Sequence, residues 1–119
     1  MTQRITLVTT GGTIDKAYAL GLNVRDLEVR GAAAFDVFKR MELVHAVTFN
    51  WTSTCAKDSM DITDDDRAKI VQTCVDADTV KILITHGTDT MIKTAEALSH
   101  SIQPDRTIVL TGAAIPACM

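Results

Sequence analysis

The sequence predicts an α/β domain built on an open parallel sheet, with helices on both faces and strand order 2-1-3-4. Three observations point there. Apolar runs and helical patterns alternate as strand, loop, helix, strand, helix, strand, helix, strand, and right-handed crossovers then give a parallel sheet covered on both sides. Two of the runs end in glycine–threonine turns: Ile5-Thr6-Leu7-Val8 leads to Thr10-Gly11-Gly12-Thr13-Ile14, and Val80-Lys81-Ile82-Leu83-Ile84 leads to His86-Gly87-Thr88-Asp89-Thr90. A run followed by a turn reads as a buried parallel strand ending in a loop. The 119 residues suffice for one domain and are too few for two. Loops at the carboxyl ends of parallel strands line the ligand crevice, so the two turns should meet at one site despite their distance in sequence.

The first strand is expected over Arg4 to Thr9, where Ile5, Leu7 and Val8 favour extended backbone. Residues 15 to 30 lack clean periodicity and read as a long loop with room for a short hairpin. Loops of that length in compact domains are usually functional or disordered. Ala32 to Arg40 is helical, with Ala34, Phe35, Phe38 and Met41 forming an apolar stripe. Leu43 to Phe49 alternates and suits the second strand. Asn50 to Lys57 is polar and hydroxyl-rich, as expected of a connecting loop. Thr63 then fits an N-cap, with Asp66 as its capping-box partner. Asp64, Asp65 and Asp66 crowd a first turn where the helix dipole favours negative charge, which explains them better than a cation site. Ile70, Val71, Cys74 and Val75 face inward. Val80 to Thr85 is the third strand, and Thr90 to His100 a helix with Met91, Thr94, Ala95 and Leu98 on one face. Thr107 to Thr111 is the fourth strand, ending in Gly112.

Composition narrows the function. The hydrophobic fraction is 46%, so a real core is available, and with only 4% aromatic residues the aliphatic side chains and methionine must fill it. A net charge of -3 and the lack of any basic stretch speak against nucleic-acid binding. No apolar run reaches the roughly 18 residues of a membrane span, and no signal peptide is evident. Cys55, Cys74 and Cys118 have no metal-like spacing and are expected as free thiols in a reducing cytoplasm. Cys55 reads as a small buried side chain rather than a nucleophile. No metal or other cofactor is expected.

The chemistry sits in the two turns. Glycines 11 and 12 allow a sharp turn and close approach of a ligand to the backbone. No GxGxxG pattern or Walker lysine accompanies them, so a nucleotide-binding reading rests on the glycine turn alone. Thr13 could be a nucleophilic hydroxyl served by a nearby base, or simply a cap bonding the backbone. Thr88 offers a second hydroxyl and a backbone N–H at a helix start. Asp89 beside it could stay ionised and grip an ammonium group, or serve as a plain N-cap. His86 is a candidate acid–base group, yet before a glycine turn it serves equally as a structural hydrogen-bonder, and no catalytic role is assigned to it.

Together, Thr10-Gly11-Gly12-Thr13-Ile14 and His86-Gly87-Thr88-Asp89-Thr90-Met91 resemble the two signatures of the bacterial L-asparaginase family, in order and at fitting spacing. Lys57-Asp58-Ser59-Met60-Asp61-Ile62-Thr63 resembles that family's substrate-carboxylate loop, and Ile108-Val109-Leu110-Thr111-Gly112-Ala113 its following strand and turn. The likeness covers nearly the whole chain and is closest, over Thr9 to Tyr18, to the short, single-domain branch. It agrees with the flavodoxin-like sheet expected from the element order.

The resemblance implies that Thr13 attacks the side-chain amide and forms an acyl-enzyme. It implies that Thr88 activates water or moves protons, its N–H helping to hold the oxyanion. Asp89 would bind the substrate α-amino group, Ser59 its α-carboxylate with Asp58 and Met60 nearby, and Gly12 and Gly87 would line the site. Tyr18 would assist Thr13 once its loop closes as a lid. Met60 departs from the family's usual polar residue, and residues 21–31 and 113–119 also depart from its pattern. The family's catalytic lysine lies beyond the fourth strand, and none of Lys57, Lys81 or Lys93 has a matching context. Residues 1–119 are therefore expected to be one N-terminal-type domain, incomplete at its C-terminus.

Two functions follow. One is an amidohydrolase for L-asparagine, with weaker activity on L-glutamine. The other is a catalytically impaired amino-acid-binding fragment. A cytoplasmic homo-oligomer is expected in either case, because a sheet ending at its fourth strand leaves an apolar edge.

Overall fold

Four parallel strands form the centre of the fold, and their polar ends carry the two turns. The structure is a computed structural model that describes residues 3–12, 16–18, 27–29, 33–42 and 46–112. The elements run β1 (Gln3–Gly11), β2 (Lys16–Tyr18), β3 (Leu27–Val29), α1 (Ala33–Met41) and β4 (Val47–Lys57). A 3-10 turn (Ser59–Asp61), α2 (Asp64–Asp76), β5 (Lys81–Thr85), α3 (Met91–Ser99) and β6 (Thr107–Thr111) follow. The main sheet has the order β4-β1-β5-β6, with every pairing parallel. Counting only its own strands, this is the expected 2-1-3-4 arrangement. β2 and β3 pair antiparallel, so the segment read as a long loop does contain a hairpin.

The apolar alternation of β1 and β5 sets the two faces. Val8, Ile82 and Ile84 point to one side, where Ile70 and Cys74 of α2 and Leu98 of α3 close over them to form the core. Each such aliphatic side chain, fully removed from water, contributes about 1.5–3 kcal/mol. Leu7 faces the other side and is fully buried. There α1 packs over the β4 end of the sheet, with Phe38 and Phe49 ring centroids 5.3 Å apart. Met41, expected on the apolar stripe of α1, is exposed at its end, and Val109 of β6 is exposed as well.

The second strand departs from the sequence reading. It does not span 43–49; it begins at Val47 and runs through the stretch read as a loop, to Lys57. β1 needs a parallel partner along its whole length and finds one from Gln3↔Val47 to Thr9↔Ser53. The polarity that suggested a loop instead marks a strand at the sheet edge, where most of its residues are exposed. Thr48, Thr52 and Thr54 are β-branched and suit that backbone.

The remaining helix signals hold. Thr63 caps α2 by accepting from the Asp66 N–H at 3.1 Å, while the Asp66 carboxylate accepts from the Thr63 N–H at 2.9 Å. The acidic triplet is thus a helix start, and no cluster of metal-ligating side chains occurs among the described residues. Nor is any helix among them long and apolar enough to cross a membrane.

Candidate active site

The first turn is shaped by an irregularity in the β1–β4 ladder. The register shifts between Thr9 and Gly11, and Gly11 pairs with Lys57. At the shift, the Thr9 carbonyl accepts from the Thr54 hydroxyl at 3.2 Å and the Thr10 carbonyl from the Cys55 thiol at 3.3 Å. Buried carbonyls need such partners, so Cys55 has a structural task. Burial also pushes its thiol above the usual range, away from thiolate chemistry. Gly11 and Gly12 have φ of 99° and 84°, the region that favours glycine. The Gly12 N–H donates to the Lys57 carbonyl at 2.9 Å. Lys57, Asp58 and Ser59 are thereby drawn against the first turn.

The second turn follows β5. Thr10 of the first turn donates its hydroxyl to the Thr85 carbonyl at 2.7 Å, joining the two strand ends. Beyond it, the Gly12 and Gly87 backbones touch: a Cβ built on Gly12 would stand 2.5 Å from the Gly87 nitrogen. Gly87 in turn packs on Ser59, since a Cβ there would stand 2.8 Å from the Ser59 Cβ. The two signature glycines and Ser59 therefore form one stack, in which each glycine is needed because its neighbour approaches so closely.

Thr90 locks Ser59 into this stack. Its hydroxyl donates to the Ser59 carbonyl at 2.7 Å, and its N–H donates to the Ser59 hydroxyl oxygen at 3.2 Å. The Ser59 oxygen is thus oriented by an acceptor role, and its own O–H remains available to donate. The N-cap of α3 is Thr90, not Asp89, so helix capping does not account for the Asp89 carboxylate.

The result is a cleft of ≈ 280 Å³ lined by Asp58, Ser59, Met60, Asp61, Gly87, Thr88 and Asp89. Its carboxylates suit an ammonium group, and the Ser59 hydroxyl suits an anionic oxygen among them. Met60 adds an exposed apolar wall at the rim. Just before Asp58, the end of β4 is tied to α2 by an ion pair, Lys57 Nζ to Asp66 Oδ2 at 2.8 Å. That hydrogen bond from Lys57, helped by the one from the Thr63 N–H, holds the Asp66 carboxyl down to about 2. Among the sequence-derived candidates, Gly12, Asp58, Ser59, Met60, Gly87, Thr88 and Asp89 are brought together. Thr13 lies outside the described residues, as does the side chain of Tyr18, whose backbone belongs to β2.

Sequence reasoning missed Thr10, Thr90 and the register shift. The two threonines stand inside the signatures, but nothing local told a structural hydroxyl from a reactive one. The shift arises between strands remote in sequence and leaves no pattern in either.

Comparison with known proteins agrees with this fold. The pattern of the family described as "Asparaginase, N-terminal" matches residues 4–118. The chain is similar in structure to the thermostable L-asparaginase from Thermococcus kodakarensis, with TM-score 0.82 and 27% identity, over 98% of this chain and 36% of that one. It is similar to a probable cytoplasmic L-asparaginase from Campylobacter jejuni, with TM-score 0.78 and 27% identity, over 98% and 36% of the two chains. L-asparaginase I from Vibrio cholerae O1 biovar eltor gives TM-score 0.80 and 27% identity, over 100% and 36%. The chain thus spans about a third of the length of these structures. None of the curated proteins matches the sequence.

Proposed function

The chain belongs to the asparaginase family, and from that premise we propose that its cleft binds L-asparagine and hydrolyses the side-chain amide to L-aspartate and ammonia. In this reading Asp89 takes the α-ammonium group and the Ser59 hydroxyl the α-carboxylate, with Asp58 beside it. Thr13 Oγ adds to the amide carbon as its proton passes to a base. The C–N bond breaks as the base passes that proton to the nitrogen, which leaves as ammonia. Water then adds to the resulting ester, the bond to Thr13 Oγ breaks, and the water proton passes through Thr88 to restore the Thr13 hydroxyl as L-aspartate leaves. The Thr88 N–H holds the oxyanion, a kind of contact worth about 10²–10³ in rate. Tyr18 assists Thr13 as the hairpin segment closes. L-glutamine is a poorer substrate.

The single observation that supports this reading is the contact of Gly12 with Gly87 beside the cleft of Ser59, Thr88 and Asp89. Gly12 is followed directly by Thr13. Ammonia release from L-asparagine tests it. Thr13→Ala should abolish turnover, and unchanged turnover in that variant removes the assignment.

A second reading is an amino-acid-binding fragment that does not turn over. It is favoured by where Lys57, Lys81 and Lys93 lie. Lys57 is paired with Asp66, Lys81 donates to Gln3, and Lys93 lines a groove between α2 and α3 away from the cleft. Residues 1–119 would then form one N-terminal-type domain that binds the amino acid without turning it over. Calorimetric binding of L-aspartate without ammonia release from L-asparagine selects this reading. We also place the protein in the cytoplasm as a homo-oligomer, and a monomer by light scattering at high concentration overturns the latter.

A further inference from the structure

We propose that His86 is the positioning residue of the second turn, holding the Gly87 carbonyl inward so that the Thr88 N–H points into the cleft. The inference rests on the amide-hydrolysis reading only in assigning that N–H to a substrate oxygen.

His86 is fully buried. Its backbone N–H donates to the Thr111 carbonyl of β6 at 2.9 Å, so the residue is anchored across the sheet. Its ring Nδ1 lies 2.6 Å from the Gly87 carbonyl oxygen, and its Nε2 lies 2.8 Å from Thr94 Oγ1 of α3. A carbonyl oxygen can only accept, so the proton sits on Nδ1. In the neutral ring Nε2 then accepts from the Thr94 hydroxyl. Thr94 is itself fully buried, and its oxygen accepts from Arg67 Nε at 3.2 Å. The chain of donors runs from Arg67 through Thr94 and His86 to Gly87.

The setting favours the neutral ring. Desolvation by burial lowers its proton affinity, the Gly87 carbonyl opposes that, and the Arg67 charge facing it from α2 adds to the lowering. Arg67 is 3.5 Å from the Asp64 carboxylate at the start of the same helix. α3 presents Thr94 and Met91 nearby, β6 presents its Thr111 carbonyl, and Gly112 follows it.

Peptide geometry turns this anchor into an aim. In a planar trans peptide the C=O and the following N–H point in opposite directions. The Gly87 carbonyl is held on the buried side by His86, so the Thr88 N–H faces the side that lines the cleft. A glycine at 87 is required by Ser59, yet glycine leaves its peptide free to rotate. His86 removes that freedom.

The test uses ¹⁵N NMR of the full chain with L-aspartate as the calorimetric probe. The wild-type ring is expected neutral and protonated on Nδ1 at neutral pH. His86→Asn keeps a donor near the Nδ1 position. His86→Gln reaches toward Thr94 and loses the donor to Gly87. The asparagine variant should retain the wild-type Thr88 amide resonance and bind within about threefold, whereas the glutamine variant should shift that resonance and bind roughly tenfold more weakly. Comparable unfolding midpoints for the two variants would set this apart from a general loss of structure. A proton on Nε2 in the wild type overturns the proposal, and that measurement stands even if a variant fails to fold. Identical Thr88 resonances in the two variants overturn it too. If the wild type binds no L-aspartate, the amide-hydrolysis reading falls by itself, because the ring tautomer and the Thr88 resonance still decide the role of His86.

Discussion

Replacing Gly12 with alanine tests the contact on which the site is built. The added Cβ would stand 2.5 Å from the Gly87 nitrogen, 2.8 Å from Gly87 Cα and 3.1 Å from the His86 carbonyl carbon. All three are backbone atoms, so no side chain can swing aside. The φ of 84° also lies where an L-residue is strained, at about 1–2 kcal/mol. Overpacking of this kind costs about 1–3 kcal/mol more. The sum is a destabilisation of about 2–5 kcal/mol. Urea unfolding can be followed by the fluorescence of Trp51, the single tryptophan, whose indole N–H donates to the Thr9 hydroxyl of β1 at 2.9 Å. With a urea dependence of about 1–3 kcal/mol/M, the midpoint should fall by roughly 0.7 M or more. Gly87→Ala should act through Ser59, and the double variant should cost less than the two singles added, because the residues share one contact. A Gly12→Ala change below about 0.5 kcal/mol would show that the two turns do not touch, and the common site would go with them.

Three further outcomes are expected. Thr63→Ala removes the acceptor for the Asp66 N–H and should destabilise the fold by about 0.5–2 kcal/mol in the same urea assay. Asp66 has a carboxyl held at about 2, against about 3.9 in an unfolded chain. A depressed value stabilises the fold above the unfolded value and is lost as the pH falls, so stability should decline from about pH 4 toward 2. Asp66→Asn should flatten that decline, which acid titration of the unfolding midpoint will read. Ile84→Ala, at a fully buried position in the core between the sheet and α2 and α3, should cost about 2–5 kcal/mol by thermal or urea unfolding.

The helix and strand signals that were read correctly are short-range ones. Thr63 and Asp66 stand three residues apart, and their reciprocal bonds depend on nothing beyond the first turn of α2. The apolar alternation of β1 and β5 decides which side chains enter the core whatever the neighbouring strand is. β4 was misread because its polarity reports its place at the sheet edge, which is a property of the assembled sheet. Asp89 was ambiguous for a related reason: a carboxylate before a helix looks like a cap until Thr90 is seen to hold the N-cap position.

Taken alone, the order of the residues determined the parallel sheet, its strand order, the capped helix and the two glycine–threonine turns. These follow from periodicity, local hydrogen bonding and the right-handedness of parallel crossovers. Only the tertiary structure decided that Gly12 rests on Gly87 and Gly87 on Ser59, that the ladder shifts at Thr9, and that His86 is enclosed by Thr94 and the strand end of β6. Those contacts join segments tens of residues apart, and close packing between remote backbones leaves no mark in the local pattern of either segment.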